Sequence, residues 1–112
     1  MEWADVVALG ATLPEVTEST AYGTPSLKVR GTNFCRLRTE AEGGLVLFCS
    51  LDEKQALLDQ GGAYYTVAHY DGYGAILVDL TVADPDELRE LLTESWRAKA
   101  PVRLRKAFDA GG

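Results

Sequence analysis

Two clusters of basic side chains stand out in a chain that is acidic overall. The sequence has 17 Asp and Glu residues against 11 Lys and Arg. Residues 22–38, YGTPSLKVRGTNFCRLR, nevertheless hold four cations and no acid, and residues 97–106 hold five more cations. Together the clusters contain nine of the eleven basic residues. Their candidate anion-binding residues are Lys28, Arg30, Arg36, Arg38, Arg97, Lys99, Arg103 and Arg105.

Such clusters could bind a phosphate backbone in spite of the negative net charge. Charges more than about 8 Å away are largely screened at physiological salt, so a local basic patch can still attract phosphates. The alternative is an ordinary solvated sheet face, together with cations that are favoured at the negative end of a helix. A dedicated nucleic-acid-binding domain is usually basic overall, which favours this alternative. The sequence leaves both interpretations open.

Tyrosines form the second group of candidate residues. Four of the five lie between residues 64 and 73. If exposed, they could stack on unpaired bases. Tyrosine also favours strands, however, and Tyr70 and Tyr73 would form a cross-strand pair beside a turn. The hydroxyls of Tyr22 and Thr24 could donate to an anion, or they could pack the preceding loop onto the sheet. These four residues are accessory candidates.

No catalytic or metal-binding group can be assembled from the sequence. His69 is the only histidine, and no spacing of acids or thiols around it is typical of a metal site. We expect it to be a structural histidine that points to the core at the end of a strand. Ser50 and Cys35 have no adjacent base in the sequence, and GYG at 72–74 is a turn signal rather than a phosphate loop. We therefore expect no enzyme activity, metal or cofactor.

Length and composition predict one domain over residues 1–112. No apolar run approaches the roughly 20 residues that span a bilayer, so we expect no membrane association. The acidic start MEWADVV is unlike a signal peptide. Cys35 and Cys49 are too far apart for a CxxC motif and are expected to be reduced thiols of a cytoplasmic protein.

Apolar periodicity and cap residues predict the elements that position these residues. Ser50 with Glu53 and Asp84 with Glu87 are typical capping boxes, and Pro85 suits a first helical turn. The predicted helices are 2–11, 51–60 and 84–100, with a short helical piece at 102–109. The predicted strands are 26–30, 34–39, 44–49, 64–69 and 74–80, and residues 14–25 are a predicted loop.

The predicted register of the first hairpin places its cations on one side. A three-residue loop at 31–33 would set Val29 opposite Cys35 and Lys28 opposite Arg36, with all four cations of the hairpin in one exposed stripe. In the second hairpin, Asp71-Gly72 predicts a two-residue type I′ turn. One face of that hairpin would then carry Tyr65, Val67, Ile76, Val78 and Leu80.

The order helix, three strands, helix, two strands, helix predicts a two-layer α+β domain with a five-stranded antiparallel sheet. Its predicted core residues are Leu27, Val29, Cys35, Leu37, Leu45, Leu47 and Trp96. On the last helix, Leu88, Leu91, Leu92 and Trp96 make the buried stripe.

Four segments of the chain resemble the MmcQ/YjbR family of small bacterial domains. They are LPEV at 13–16, YGTPSLKVRG at 22–31, HYDGYGAILV at 69–78 and LRELLTESWRAKAPVRL at 88–104. The resemblance extends over residues 5–108, although Ala68 and Gly74 stand where the family commonly has proline. It implies a two-layer α+β fold with five antiparallel strands, DNA binding through a double-wing surface, and no defining catalytic residues.

Two binding functions follow from these features. DNA or another polyanion could bind the basic hairpin and the basic C-terminal segment. Alternatively, the chain could be a protein-interaction module that uses a free sheet edge or the acidic face of the last helix. That acidic face comprises Asp86, Glu87, Glu90 and Glu94.

Overall fold

The computed structural model describes residues 1–111, in which six strands form one antiparallel sheet. The strands are Val16–Ala21 (β1), Thr24–Val29 (β2), Thr32–Leu37 (β3), Leu45–Phe48 (β4), Tyr64–Tyr65 (β5) and Ala75–Val78 (β6). Their order in the sheet is β1-β2-β3-β4-β6-β5. The helices are Trp3–Gly10 (α1), Leu51–Gln60 (α2), Pro85–Lys99 (α3) and Val102–Gly111 (α4). The predicted α+β class is confirmed.

Strand β1 lies in the predicted loop 14–25, so the sheet has six strands rather than five. Ala21 pairs with Thr24, and the two residues between them, Tyr22 and Gly23, have φ angles of 55° and 78°. Positive φ at both central residues is typical of a type I′ hairpin turn. The strand was missed because VTESTA is polar, as suits an edge strand that is exposed at most positions.

Helices α2 and α3 begin at the predicted cap residues. The Ser50 Oγ accepts a hydrogen bond from the amide of Glu53 at 3.1 Å. The Asp84 carboxylate accepts one from the amide of Asp86 at 2.8 Å. The reciprocal half of both predicted capping boxes is wrong, because within residues 1–111 neither Glu53 nor Glu87 accepts from the amide of its cap residue. The Glu87 carboxylate accepts instead from the Tyr64 hydroxyl at 2.7 Å. Burial and this hydrogen bond raise the pKa of Tyr64 above its usual value.

The main core lies between one face of the sheet and helices α1 and α3. The predicted core is confirmed, with Leu37 only partly buried at its margin. Trp96 is fully buried, donates its indole N–H to the carbonyl of Pro14 at 3.1 Å, and packs on Phe108 of α4. The buried stripe of α3 is also confirmed, with Leu91 at its half-buried edge.

The first hairpin has a different register from the predicted one. Its turn is the two-residue pair Arg30-Gly31, with φ angles of 46° and 80°, so Lys28 pairs with Asn33 rather than Arg36. A β-bulge follows, after which Leu27 pairs with Cys35. The bulge inserts one residue into β3 and returns Cys35 to the core face, which a two-residue turn alone would not do. Because the turn has two residues, Val29 pairs with Thr32, and the predicted Val29–Cys35 pair is wrong.

Ser95 of α3 binds the backbone where the bulge disturbs it. Its hydroxyl donates to the carbonyl of Phe34 and accepts from the amide of Phe48 at 2.9 Å. Ser95 is fully buried, so these bonds satisfy one buried and one partly buried backbone group. This serine therefore joins α3 to β3 and β4.

The second hairpin is wider than predicted. Tyr64 pairs with Val78 and Tyr65 with Leu77, and residues 66–74 form a loop with a 3₁₀ turn at Ala68–Tyr70. The predicted tight turn at Asp71-Gly72 is therefore wrong. The pairing of β5 with β6 is therefore shifted by one residue from the predicted register. This shift places Tyr65 and Val67 on the face of the sheet opposite Val78. His69 is exposed rather than directed to the core.

Every helix within residues 1–111 is too short or too polar to cross a membrane. Cys35 is buried and Cys49 half-buried, and both are free thiols. The part of the chain that the structure describes contains no group of three His, Cys, Asp or Glu side chains placed to hold a metal ion.

Candidate functional site

The face of the sheet opposite α1 and α3 carries the candidate site. One row of side chains on this face runs across five strands, and its members are Ser26, Arg36, Val46, Leu77 and Tyr65. Loop 66–74 covers part of it, since Val67 and Tyr70 pack against the buried cluster around Val46 and Leu77. We call this surface the loop face.

Arg36 lies between two tyrosines on the loop face. Its Nη2 donates a hydrogen bond to the Tyr70 hydroxyl at 3.0 Å, and its Nη1 donates to the carbonyl of Leu37 at 3.2 Å. Its guanidinium carbon is 5.2 Å from the centre of the Tyr22 ring, within cation–π range. Tyr22 itself is 89% exposed. The guanidinium is thus held in a fixed position beside an aromatic ring that is open to solvent.

A cavity of about 500 Å³ lies beside Tyr70. It is lined by Phe48, His69, Tyr70, Tyr73, Gly74, Ala75 and Lys99. The Lys99 ammonium is 4.2 Å from the centre of the Phe48 ring, and His69 meets Tyr70 edge to face at 4.8 Å between ring centres. Tyr70 therefore contacts Arg36 through its hydroxyl and the cavity through its ring. We call this cavity the aromatic pocket.

Lys54 of α2 fixes the loop that forms the pocket wall. Its ammonium donates to the carbonyls of Tyr70 and Tyr73 at 2.6 and 2.8 Å. The residue is only 6% exposed. Sequence reasoning missed it, although helical spacing places Lys54 on the same side of α2 as the packed residues Leu57 and Leu58. A lysine on the apolar side of a helix was the available signal.

Two polar atoms of the loop face are buried without a hydrogen-bond partner among residues 1–111. They are the Oγ of Ser26 and the Oδ1 of Asn33. Ser26 pairs across the sheet with Arg36, and Asn33 pairs with Lys28. Buried polar atoms are rarely left unpaired in native proteins unless water or a ligand serves them. The loop face therefore has spare hydrogen-bonding capacity beside its cations.

Two other cations of the first hairpin, Arg30 and Arg38, serve local structure, whereas Lys28 does not. Arg30 forms a two-bonded ion pair with Glu15, at 2.8 and 3.1 Å, and its hydrogen bond holds the pKa of that carboxyl below its usual value. Arg38 donates to the carbonyls of Gly43 and Glu42 at 2.6 and 3.0 Å. Lys28 is half-buried and makes no hydrogen bond or ion pair within residues 1–111.

The predicted exposed stripe is therefore wrong. Of its four cations only Arg30 is exposed, and that residue is paired with an acid. The Thr24 hydroxyl is also not available to donate to an anion, because it is buried and donates to the carbonyl of Ala21 at 2.9 Å inside the first turn. Tyr22, Tyr70 and Tyr73 do lie at the loop face or the pocket.

The basic C-terminal cluster divides between two places. Arg97 pairs with Glu94 at 3.7 Å and with Asp109 of α4, and Arg105 donates to the Arg97 carbonyl at 3.2 Å. Both arginines line a second cavity with Cys49, Ser50, Glu53, Glu94 and Ala98. Arg103 is exposed on α4. Among the described residues, Lys99 is the basic side chain that lines the aromatic pocket.

The structure therefore reduces the eight candidate cations to a smaller group. Arg36 and Lys99 come together through the rings of Tyr70 and Phe48, and Lys28 lies on the same face. The remaining five are paired, bonded to backbone carbonyls or placed on α4. The site combines few cations with many aromatic rings, and the resulting surface suits a flat ring that carries negative charge.

Comparison with known proteins gives one family. A family model described as YjbR matches residues 11–98. Curated relatives include uncharacterized proteins of Mycobacterium tuberculosis and Mycobacterium bovis. Each is 31% identical to this chain over 121 residues, and the match covers 95% of this chain and 94% of the relative.

Proposed function

The chain belongs to the YjbR family, and we propose that it binds single-stranded nucleic acid through the loop face. One observation carries the proposal: Arg36 and Lys99 each contact an aromatic residue that lines the aromatic pocket. Tyr70 hydrogen-bonds Arg36 and lines the aromatic pocket with Phe48, while Lys99 lies over Phe48.

Aromatic rings beside cations suit an unpaired strand better than a duplex. Each base that stacks on an exposed ring contributes about 1 to 3 kcal/mol without requiring a particular sequence. Tyr22 and Tyr73, which are 89% and 65% exposed, offer such rings. In a duplex the base faces are already stacked on one another, so these rings would have no surface to bind. The free cations would then act on the phosphates alone.

The small number of cations at the loop face and the aromatic pocket predicts weak and salt-dependent binding. Arg36, Lys99 and Lys28 could neutralise about three phosphates, and three contacts on a single strand give a log–log salt slope of about −2. The formal net charge of −6 opposes binding at low salt, where screening is weakest. Binding that depends on so few contacts should be tolerant of sequence.

The test is fluorescence anisotropy of a labelled oligothymidylate and a labelled duplex at two or more salt concentrations. We expect the single strand to bind more tightly. The variants Arg36→Gln and Lys99→Gln should each lower the salt slope by about 0.7. Arg89→Gln is the matched control, because Arg89 is an exposed α3 cation that lines a separate cavity with Met1 and Asp5.

Two results would contradict the proposal. One is a lack of binding to either oligonucleotide at every salt concentration tested. The other is an Arg89→Gln variant that weakens binding as much as Arg36→Gln, since the effect would then come from net charge rather than from the loop face.

A second function is favoured by the free edge of the sheet. Strand β1 pairs only with β2, so its outer side can accept an extended segment of another protein. The acidic residues Asp86, Glu90 and Glu94 on the exposed side of α3 would favour a basic partner. Amide NMR shifts confined to residues 16–21 on addition of a basic extended peptide would support this function. Shifts confined to the loop face would exclude it.

A further inference from the structure

The aromatic pocket has the size and lining of a site for a small ring-shaped ligand. Its volume of about 500 Å³ lies within the range of small-molecule sites in proteins. The rings of Phe48, Tyr70, Tyr73 and His69 form much of its lining, and the ammonium of Lys99 supplies positive charge at the Phe48 side. Such a lining combines stacking surfaces with one cation.

From this arrangement we propose that the pocket receives one unpaired nucleobase while Lys99 pairs with the phosphate attached to it. The inference rests on the proposed function and specifies which part of the strand enters the protein. An apolar ring without charge would leave Lys99 unused, and phosphate alone would leave the aromatic walls unused. A base together with its phosphate uses both.

Glycine at position 74 allows the pocket to keep its shape. A Cβ atom there would lie 2.5 Å from the carbonyl oxygen of Cys49, a contact that a side chain cannot make. The backbone can therefore pass close to the end of β4, where the Cys49 amide donates to the Gly74 carbonyl at 3.0 Å. A larger residue at this position would push the loop away from Phe48.

The pocket wall is fixed before any ligand arrives. Lys54 holds the carbonyls of Tyr70 and Tyr73, and the Tyr70 hydroxyl is held by Arg36. Binding then costs little loop ordering, which improves the affinity that a small ligand can reach. Asp71, the acid of this loop, lines a separate cavity with Lys54 and Gln55 rather than the aromatic pocket.

The experiment is an NMR titration of the full chain with thymidine 5′-monophosphate, thymidine and inorganic phosphate. We expect the nucleotide to shift the amides of residues 68–75 at lower concentration than the nucleoside, and phosphate alone to have little effect. Tyr73→Ala should weaken nucleotide binding by about 5- to 150-fold, the range that stacking of one base implies. Tyr73→Phe should retain it.

Charge variants separate the phosphate contact from stacking. Lys99→Gln should reduce the affinity for the nucleotide toward that for the nucleoside, and the loss for the nucleotide should exceed any loss for the nucleoside. Lys106→Gln removes an exposed cation of α4 and should change neither affinity. Equal losses in the two variants would overturn the proposed pairing of Lys99 with phosphate.

Failure of this inference can be distinguished from failure of the proposed function. In one outcome the oligonucleotide binds with the expected salt slope, Tyr73→Ala does not weaken that binding, and the nucleotide shifts no pocket amide. The inference about the pocket is then overturned, and the proposed function stands. If the nucleotide binds in the pocket while no oligonucleotide binds, the pocket assignment stands and the function is overturned.

Discussion

Replacing Lys54 tests whether one buried lysine fixes the wall of the pocket. Lys54→Met removes the ammonium and retains a long apolar side chain, so the packing of α2 is largely conserved. The carbonyls of Tyr70 and Tyr73 lose their hydrogen-bond donor. We expect the free energy of unfolding to fall by about 2 to 4 kcal/mol.

This magnitude follows from two opposing contributions. A hydrogen bond from a charged donor contributes about 1.5 to 3 kcal/mol, so two bonds give about 3 to 6 kcal/mol. Part of the loss is offset because the variant no longer has to bury an ammonium group. The loop can also move to let water reach the Tyr73 carbonyl, since Tyr73 is 65% exposed. The net cost is therefore below the sum of the two bonds.

Urea denaturation and amide hydrogen exchange provide the measurements. The urea midpoint should fall, and the amides of residues 66–74 should exchange faster than those of β4 and β6. The control is Lys106→Met, the same substitution at an exposed position of α4, where a change within about 0.5 kcal/mol is expected. If both variants have the same midpoint and the loop amides remain protected, Lys54 does not fix the loop.

Three further changes test the rest of the fold. Trp96→Ala should lower the free energy of unfolding by about 3 to 5 kcal/mol because the ring is fully buried, and a loss below about 1 kcal/mol by urea denaturation would contradict its place in the core. Ser95→Ala leaves a buried carbonyl and a buried amide unpaired and should cost about 2 to 4 kcal/mol; a neutral result would exclude its role at the bulge. Burial raises the pKa of Cys35 to about 12 and that of Cys49 to about 11, so at pH 8 iodoacetamide should alkylate both slowly and Cys49 first, which mass spectrometry can follow. Because these pKa values are raised in the folded state, the buried thiols contribute their full stability below the usual thiol pKa of about 8.5. That contribution is lost as the pH rises toward 11 to 12. A urea midpoint that increases over this pH range would contradict the expected loss of stability.

Helices were predictable from this sequence because their determinants are local. Ser50 and Asp84 cap their helices through amides within three residues, and the 3.6-residue period identifies the buried side of α3. Strand existence was predictable where both faces are apolar, as in Leu45–Phe48. Strand β1 was not, since an exposed edge strand needs no apolar pattern and is defined by its partner β2.

Strand registers were not predictable, because contacts distant in sequence decide them. At the bulge in β3, the carbonyl of Phe34 is bound by Ser95, which lies 61 residues away in the chain. The loop between β5 and β6 departs from the tight turn that Asp71-Gly72 favours, and Lys54 holds the resulting backbone from a helix. In both cases a side chain on a helix satisfies backbone groups of an irregular strand or loop, and the local sequence does not show which backbone groups that side chain reaches.

The sequence predicted which types of residue form the candidate site, but it did not predict which of those residues lie together in the fold. A sequence shows that cations cluster along the chain, yet it does not show which of them are neutralised. Arg30 and Arg97 are paired with acids that lie 15 and 12 residues away, so their charges are largely cancelled. Arg36 and Lys99 lie 63 positions apart in the sequence and meet only through Tyr70 and the pocket.

The distribution of free charge also argues for the kind of nucleic acid that the protein would bind. A duplex is held mainly by many phosphate contacts. This acidic chain is poorly equipped for them, because Arg30 and Arg97 are paired with acids and Arg38 and Arg105 bind backbone carbonyls. Stacking is insensitive to net charge, so a domain of net charge −6 can still bind unpaired bases through exposed rings. Arg36 and Lys99 would then position phosphates rather than supply most of the affinity. On this argument, Tyr73→Ala should weaken single-strand binding more than Lys99→Gln at 0.15 M salt and above, and the opposite order would mean that phosphate contacts dominate.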